Sequence, residues 1–314
     1  MIKTPLCDLV GIEKPIFQGG MAWIADASLA AAVSEAGGLG IISAMNAGPD
    51  WVRDQIRECR ERTEKPFGVN VMLQSPFAAD VAKVVAEESV PVVVTGAGNP
   101  SKYMADWKAV GVKVIPVVSS VALARLLERA GADALVAEGG ESGGHIGDLS
   151  TMVLVPQVVD AVKVPVLAAG GIADGRQVAA AFMLGAMGVQ VGTRFLVARE
   201  CTVSQEYKDR IIKAKDLSTI VTGRSMNGAV RCLKTPFSQE FARRERTGAT
   251  PEELGKFGAG SLRKAAKDGN YEEGSFMAGE VAAMVREEQT AKEIVDDLMD
   301  GAEKCLGEAT KWIA

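Results

Sequence analysis

Residues 164–195 read VPVLAAGGIADGRQVAAAFMLGAMGVQVGTRF. An apolar run, Val164–Ala168, ends in Gly170-Gly171. A segment of helical spacing follows, Arg176–Leu184, and a second apolar run, Gly188–Val191, ends in Gly192-Thr193. Short runs rich in Val and Ile, without polar alternation, read as parallel strands buried on both faces. The stretch is therefore a strand–helix–strand unit whose two strand ends are both glycine-rich.

Working outward, six more runs of the same kind precede it: Pro15–Gln18, Leu39–Ser43, Phe67–Leu73, Pro91–Thr95, Val112–Val118 and Ala134–Ala137. Helical spacing lies between them over Ser28–Ala36, Asp50–Arg62 and Val121–Ala130. Strands alternating with helices imply an α/β chain with a parallel sheet. Eight of them, repeating at about 25 residues, favour a closed (β/α)8 TIM barrel over a doubly wound open sheet. After Phe195 the rhythm breaks. Residues 201–274 hold few strand-like runs and read as a small, mostly helical lid subdomain. Residues 1–200 and 275–314 are assigned to the barrel. In the last stretch Ile294, Leu298, Ala302 and Cys305 fall on one helical face, which is expected to pack on the barrel.

Composition narrows the function. The formal net charge is 35 − 40 = −5, which argues against nucleic acid as the main partner. Residues 201–274 carry 14 Lys/Arg and 10 Asp/Glu, or +4, and the remainder carries 21 and 30, or −9. The five cysteines (Cys7, Cys59, Cys201, Cys232, Cys305) form no CxxC pair, and His145 is the one histidine, so no metal site is expected. This usage fits a reducing compartment. Met1–Pro15 carries Asp8 and Glu13 and no continuous apolar run, so no secretory leader is expected. No run approaches a membrane span, and a cytoplasmic protein is expected.

In such a barrel the site is built by the loops after the strands. Those positions hold Gln18-Gly19-Gly20-Met21-Ala22, Asn46, Asn70, Gly96-Ala97-Gly98-Asn99, Glu138-Gly139, Gly170-Gly171 and Gly192-Thr193. One glycine at a strand end only permits a tight turn, but this set gathers on one face. Without β-carbons, the turns after strands seven and eight let phosphate oxygens approach backbone N–H groups, and the Thr193 hydroxyl could add a bond. That signal points to a phosphate and is silent on its carrier. His145 stands in a glycine-rich loop, Glu138–Gly147, where an imidazole suits proton transfer or polarisation. Asn70 sits inside an apolar strand. A buried amide needs a partner, either a neighbouring strand end or the polar edge of a heterocycle. Glu138 allows the same two readings.

Seven stretches stand in a particular order: Gln18–Trp23, Gly68–Asn70, Thr95–Tyr103, Gly143–Gly147, Ala168–Gly175, Gln190–Phe195 and Ser275–Gly279. Together they resemble the bacterial FMN-dependent enoyl-acyl-carrier-protein reductases II, which group with the nitronate monooxygenases, also called 2-nitropropane dioxygenases. The resemblance spans nearly the whole chain. It implies FMN at the barrel mouth and hydride passing from NADH or NADPH through FMN to the β-carbon of a trans-2-enoyl thioester, on acyl carrier protein or CoA. By the same resemblance Gly170, Gly171, Gly192 and Thr193 would hold the FMN phosphate. Met21, Ala22, Asn70 and Glu138 would line its ring or ribityl chain, and Ser275, Met277 and Ala278 would close over it. Gly20, Asn46, Ser142, Gly144, Ala169 and Gln190 complete the expected cofactor-binding set. His145 would be the acid or polarising group. A homodimer and, in some members, a monovalent cation in the lid are also implied.

Other readings remain open on the residues. A nitronate monooxygenase would share the flavin and the histidine loop but react with oxygen. A flavin-free lyase or isomerase would be expected to show a strand-end lysine or paired carboxylates. A non-catalytic flavin carrier would bind without turnover. Basic lid residues Arg243, Arg244, Arg246, Arg263, Lys264 and Lys267 could steer an acidic carrier protein, or be a solvated face.

Overall fold

The computed structural model describes residues 2–44, 47–226 and 228–312. Eight strands form the barrel: β1 (Ile16–Gln18), β2 (Ile41–Ser43), β3 (Gly68–Met72), β4 (Val92–Gly96), β5 (Lys113–Val118), β6 (Leu135–Glu138), β8 (Val166–Ala169) and β9 (Gly188–Val191). Three more, β7 (Gly144–His145), β10 (Thr219–Thr222) and β11 (Val230–Leu233), make a separate small sheet. The barrel order is β1-β9-β8-β6-β5-β4-β3-β2, with every neighbouring pair parallel. The ring closes where Phe17 bridges Leu39, with Gln18 N–H donating to Leu39 O and Leu39 N–H to Ile16 O, both at 2.9 Å. The α/β barrel read from the sequence is the fold observed, and each of the eight expected runs overlaps one barrel strand.

Alternation along each strand sorts the core into two layers. Inward side chains, including Phe17, Ile41, Val92, Val94, Ile115, Val136 and Leu167, fill the barrel. They meet Leu6, Cys7 and Val10 of the N-terminal helix Pro5–Val10, which plugs the lower end. Outward side chains such as Ile42, Val69, Val93, Val114, Leu135 and Val189 pack under the helices. The inward positions nearest the upper end are Ser43, Asn70, Glu138, Ala169 and Gln190, so the floor of the mouth turns polar where the filled core stops.

The C-terminal helix Ala291–Glu308 begins at Thr290, whose hydroxyl and Glu293 carboxylate cap one another's backbone. It buries Ile294, Leu298 and Ala302, while Cys305 is only half-buried. It lies on helix Gly175–Met183 by backbone contact: a β-carbon on Gly175 would sit 2.3 Å from Gly301 C and 2.5 Å from Ala302 N.

Residues 201–274 hold four α-helices among their described elements, but do not pack as one body. Helix Gln205–Ile212 sinks Tyr207 and Ile211 into the main core. Helices Pro236–Arg246 and Pro251–Gly258 have a small core of their own, Phe237, Phe241 and Leu254, with the Phe237 and Phe257 rings stacked at 5.1 Å. The segment also contains β10 and β11, which the sequence reading missed. Among the described residues no helix is long and apolar enough to cross a membrane.

The helix crossing makes a paired prediction. Gly175→Ala should force the C-terminal helix outward and cost about 1–3 kcal/mol in urea unfolding. Gly307→Ala, on the same C-terminal helix with nothing within 4 Å, should instead be neutral or gain up to about 1 kcal/mol. Equal effects would show that the contact is not close.

Candidate active site

The strand ends and the small sheet enclose a cleft of about 730 Å³, a size that suits a cofactor or drug-sized ligand. Gly20, Met21, Ala22, Asn70, Glu138, Ser142, Gly144, His145, Ala169, Gly170, Gly171, Gln190, Gly192, Thr193 and Met277 all line it. Fifteen of the residues expected at the site are thus brought together. Asn46 lies outside the described residues. Ser275 and Ala278 are buried but do not line the cleft. Ser275 N–H donates to Ser261 O at 3.0 Å, and the Ala278 carbonyl carbon would lie 2.6 Å from a β-carbon on Gly143. These two pack within the closing segment, off the cleft surface.

The glycines are where backbone must approach backbone. A β-carbon on Gly20 would fall 2.4 Å from Asn70 Cβ, so the β1 loop rests directly on that amide. Gly170 and Gly171 have φ of +87° and +73°, a turn that non-glycine residues rarely adopt. Gly192 differs: a β-carbon there would meet only Met21 Sδ, at 3.8 Å, and would otherwise point into the cleft. Thr193 Oγ1 accepts from Gly279 N–H at 2.9 Å, which leaves its own hydrogen free to donate. The Gln190 Oε1 atom is buried without a hydrogen-bond partner. Such an atom is costly unless something in the cleft satisfies it. The free amide oxygen, the open face of Gly192 and the left-handed Gly170-Gly171 turn fit a phosphorylated heterocycle.

Electrostatics constrain how an anion could be held. Among the described residues lining the cleft, the charged side chains are Glu138 and Glu141, with no lysine or arginine. A phosphate would therefore rest on backbone N–H groups and Thr193, not on a cation. Glu138 is only partly covered, yet burial pushes its carboxyl up to about 7, and the Ser142 hydroxyl, near it but short of full hydrogen-bond geometry, draws it back slightly. The Glu141 carboxylate is anchored: Thr151 N–H donates to both its oxygens at 3.0 Å and Thr151 Oγ1 lies 2.9 Å from Oε2. Glu141 thereby neutralises the amino end of helix Thr151–Ala161.

His145 faces the cleft from β7, which pairs antiparallel with β11, His145 opposite Val230 and Gly144 opposite Arg231. Ile146 N–H donates to Ala229 O at 3.0 Å. The imidazole is exposed to the cleft, but the surrounding protein draws its pKa below the ordinary histidine value. A ring N–H of His145 is available to donate into the cleft. No cysteine lines the cleft, and burial pushes Cys201 and Cys232 up to about 11. Among the described residues no group of three or more His, Cys, Asp or Glu side chains is placed to hold a metal ion. Glu141, Thr151 and Arg231 were missed by sequence reasoning. Glu141 stood inside the histidine loop and could have been noticed, whereas Arg231 reaches that loop only through the fold.

The (β/α)8 barrel thus carries at its strand ends a cation-free cleft that fits a phosphorylated ligand, with His145 among its lining residues. The nitronate monooxygenase family model matches residues 3–301, and the chain belongs to that family of oxidoreductases. It is similar to FabK from Thermotoga maritima, with 49% identity over 100% of both chains and a TM-score of 0.97. It is also similar to the (3aS,4S,5R,7aS)-5-hydroxy-7a-methyl-1-oxo-octahydro-1H-indene-4-carboxyl-CoA dehydrogenase of Mycobacterium tuberculosis, at 33% identity over 95% of each chain. A probable nitronate monooxygenase of Staphylococcus aureus is 35% identical over 77% of this chain and 81% of its own.

Glu138 yields a stability prediction. Its carboxyl, near 4.5 when unfolded and about 7 when folded, binds its proton more tightly in the fold. The resulting stability is whole below pH 4.5 and is lost as pH rises through 7. Ligand-free Glu138→Gln should therefore exceed the parent by on the order of 1–3 kcal/mol at pH 8 and match it near pH 4.5 in urea unfolding. A difference independent of pH would mean an ordinary carboxyl.

Proposed function

We propose that this protein is an FMN-dependent enoyl-acyl-carrier-protein reductase. It would take hydride from NADH or NADPH and reduce the β-carbon of a trans-2-enoyl thioester carried on acyl carrier protein or CoA. The observation that carries this reading is the full-length likeness to FabK, 49% identical at a TM-score of 0.97, with the fifteen expected residues gathered in one cleft. The M. tuberculosis relative, whose name contains a CoA thioester, supports the substrate class.

FMN, when bound, supplies the hydride relay that no side chain of this protein can provide. Gly170, Gly171, Gly192 and Thr193 would hold its phosphate through backbone N–H groups and the Thr193 hydroxyl. Asn70, Glu138 and Gln190 form the polar floor against which a heterocycle's edge would be matched. Near pH 7 Glu138 can be protonated, so it can offer a hydrogen to a ring carbonyl as well as accept one. His145 would direct its N–H at the thioester carbonyl. As hydride reaches the β-carbon, negative charge grows on that oxygen, and the hydrogen bond stabilises it. A proton delivered to the α-carbon by way of the exposed imidazole and water completes the reduction. The acyl carrier protein would approach on the lid side, but steering by the lid cations is weaker than their number suggests. Arg243 and Arg244 pair with Glu240, Arg263 with Asp268 and Lys264 with Glu273.

The test is anaerobic visible absorbance of the FMN-loaded protein. NADH should bleach the flavin and crotonyl-CoA should restore it. Bleaching without recovery, followed by nitronate oxidation in air, would replace the reductase with a nitronate monooxygenase. Failure to bind FMN would remove both. Two variants separate the parts. His145→Ala should keep and reduce FMN while the enoyl half-reaction falls by roughly 10²-fold. Gly192→Val should fold, because little protein lies against that position, yet release FMN on dialysis; full retention would remove Gly192 from the phosphate site.

A further inference from the structure

Arg231 does not line the cleft, yet its side chain, 13% exposed, reaches three segments near His145. It stands on β11 opposite Gly144. Its Nε and Nη2 donate to the Gly140 carbonyl at 3.2 and 3.0 Å, and Nη1 donates to Thr219 Oγ1 on β10 at 3.3 Å. Nη2 also pairs with Glu280 Oε1 at 2.9 Å, and Glu280 N–H donates to Glu141 O at 3.0 Å. One guanidinium thus gathers the turn leading to His145, the sheet behind it and the segment that closes on Thr193.

The loop needs such a hold. Residues 138–147 include Gly139, Gly140, Gly143, Gly144 and Gly147, so the chain loses much conformational entropy when fixed and has few side chains to fix itself. From the barrel it is held by Gly139 N–H on Ala169 O and Gly140 N–H on Leu149 O. The planar fork of Arg231 supplies the matching hold from the lid, on the Gly140 carbonyl.

We propose that Arg231 is a positioning residue for His145, setting the imidazole's place through Gly140 and Glu280 without touching substrate. This rests on the role given to His145 above. In the FMN-loaded full chain, Arg231→Met should retain FMN and be reduced by NADH within about twofold of the parent. Its enoyl half-reaction with crotonyl-CoA should fall roughly 10- to 100-fold, the range for losing a group that orients a functional side chain. Arg231→Lys should recover part of that loss, since an ammonium can still reach Gly140 O. The deciding measurement is the double mutant: added to His145→Ala, Arg231→Met should cost nothing further. Additive losses, or equal losses in both half-reactions, would make Arg231 a general structural residue and overturn the proposal, as would unchanged turnover. Should Arg231→Met fail to fold, Glu280→Gln enters the same cycle. A smaller, equally non-additive loss is then expected, and additivity overturns the proposal. If His145→Ala itself turns over normally, the reading of His145 fails and takes this inference with it. An impaired His145→Ala with an additive Arg231→Met sinks the inference alone.

Discussion

The peptide groups of residues 138–147 find their partners on two different bodies of structure, and the shape of the cleft depends on that division. The first half of the loop bonds back to the barrel, through Ala169 and Leu149. The second half enters a sheet with β11 and bonds to Ala229. Between the two halves, Glu141 fastens to Thr151. The Thr151 hydroxyl has one hydrogen and three oxygens in reach, Glu141 Oε2 and Gly170 O at 2.9 Å and Ala169 O at 3.2 Å. It can serve one at a time, so the histidine loop and the Gly170-Gly171 turn share a single adjustable contact.

Among the described residues, the cleft wall carries no cation where a phosphate would be expected to rest. Without a lysine or arginine in the wall, attraction has to come from oriented peptide dipoles, which act at short range and only in the right geometry. That explains the density of glycine better than turn formation alone. Gly20 against Asn70, and Gly170 against Gly139 O at a would-be 2.7 Å, leave no room for side chains, whereas Gly192 leaves room that a ligand can use. The same absence of cations leaves Glu138 with only the Ser142 hydroxyl to favour its charge, so burial dominates its ionisation.

The barrel was legible because its strands are buried on both faces and therefore run apolar from end to end. Leu39–Ser43 and Val164–Ala168 could be placed within two residues on that basis. The cleft was legible because barrel strand ends converge by construction. What escaped has a common cause. β7 is two residues of glycine and histidine, and β10 and β11 are four residues each, too short to show a period. They exist because they pair with one another, a fact no local pattern carries. Ser275, Met277 and Ala278 were placed together by the resemblance of the Ser275–Gly279 stretch, and of the three only Met277 lines the cleft, because a shared stretch does not fix the direction of each side chain. The lid's excess charge was counted correctly, but Arg243 and Arg244 sit three and four residues after Glu240 and are spent on it.

These placements separate two tasks. Apart from Met277, what fits a cofactor stands on barrel strands or in the loops that follow them, above the filled core. The group suited to act on a second substrate, His145, is held by a sheet whose other strands come from residues 219–233, at the edge of a lid with its own small core. A change in the lid can therefore shift His145, or what approaches it, without disturbing the cradle for the cofactor. The converse does not hold, because the loop's first half is anchored to Ala169, a residue of the cradle itself. A fold divided in this way can keep one cofactor while its second substrate changes, which is the pattern expected of a family whose members share a barrel and bear different activities.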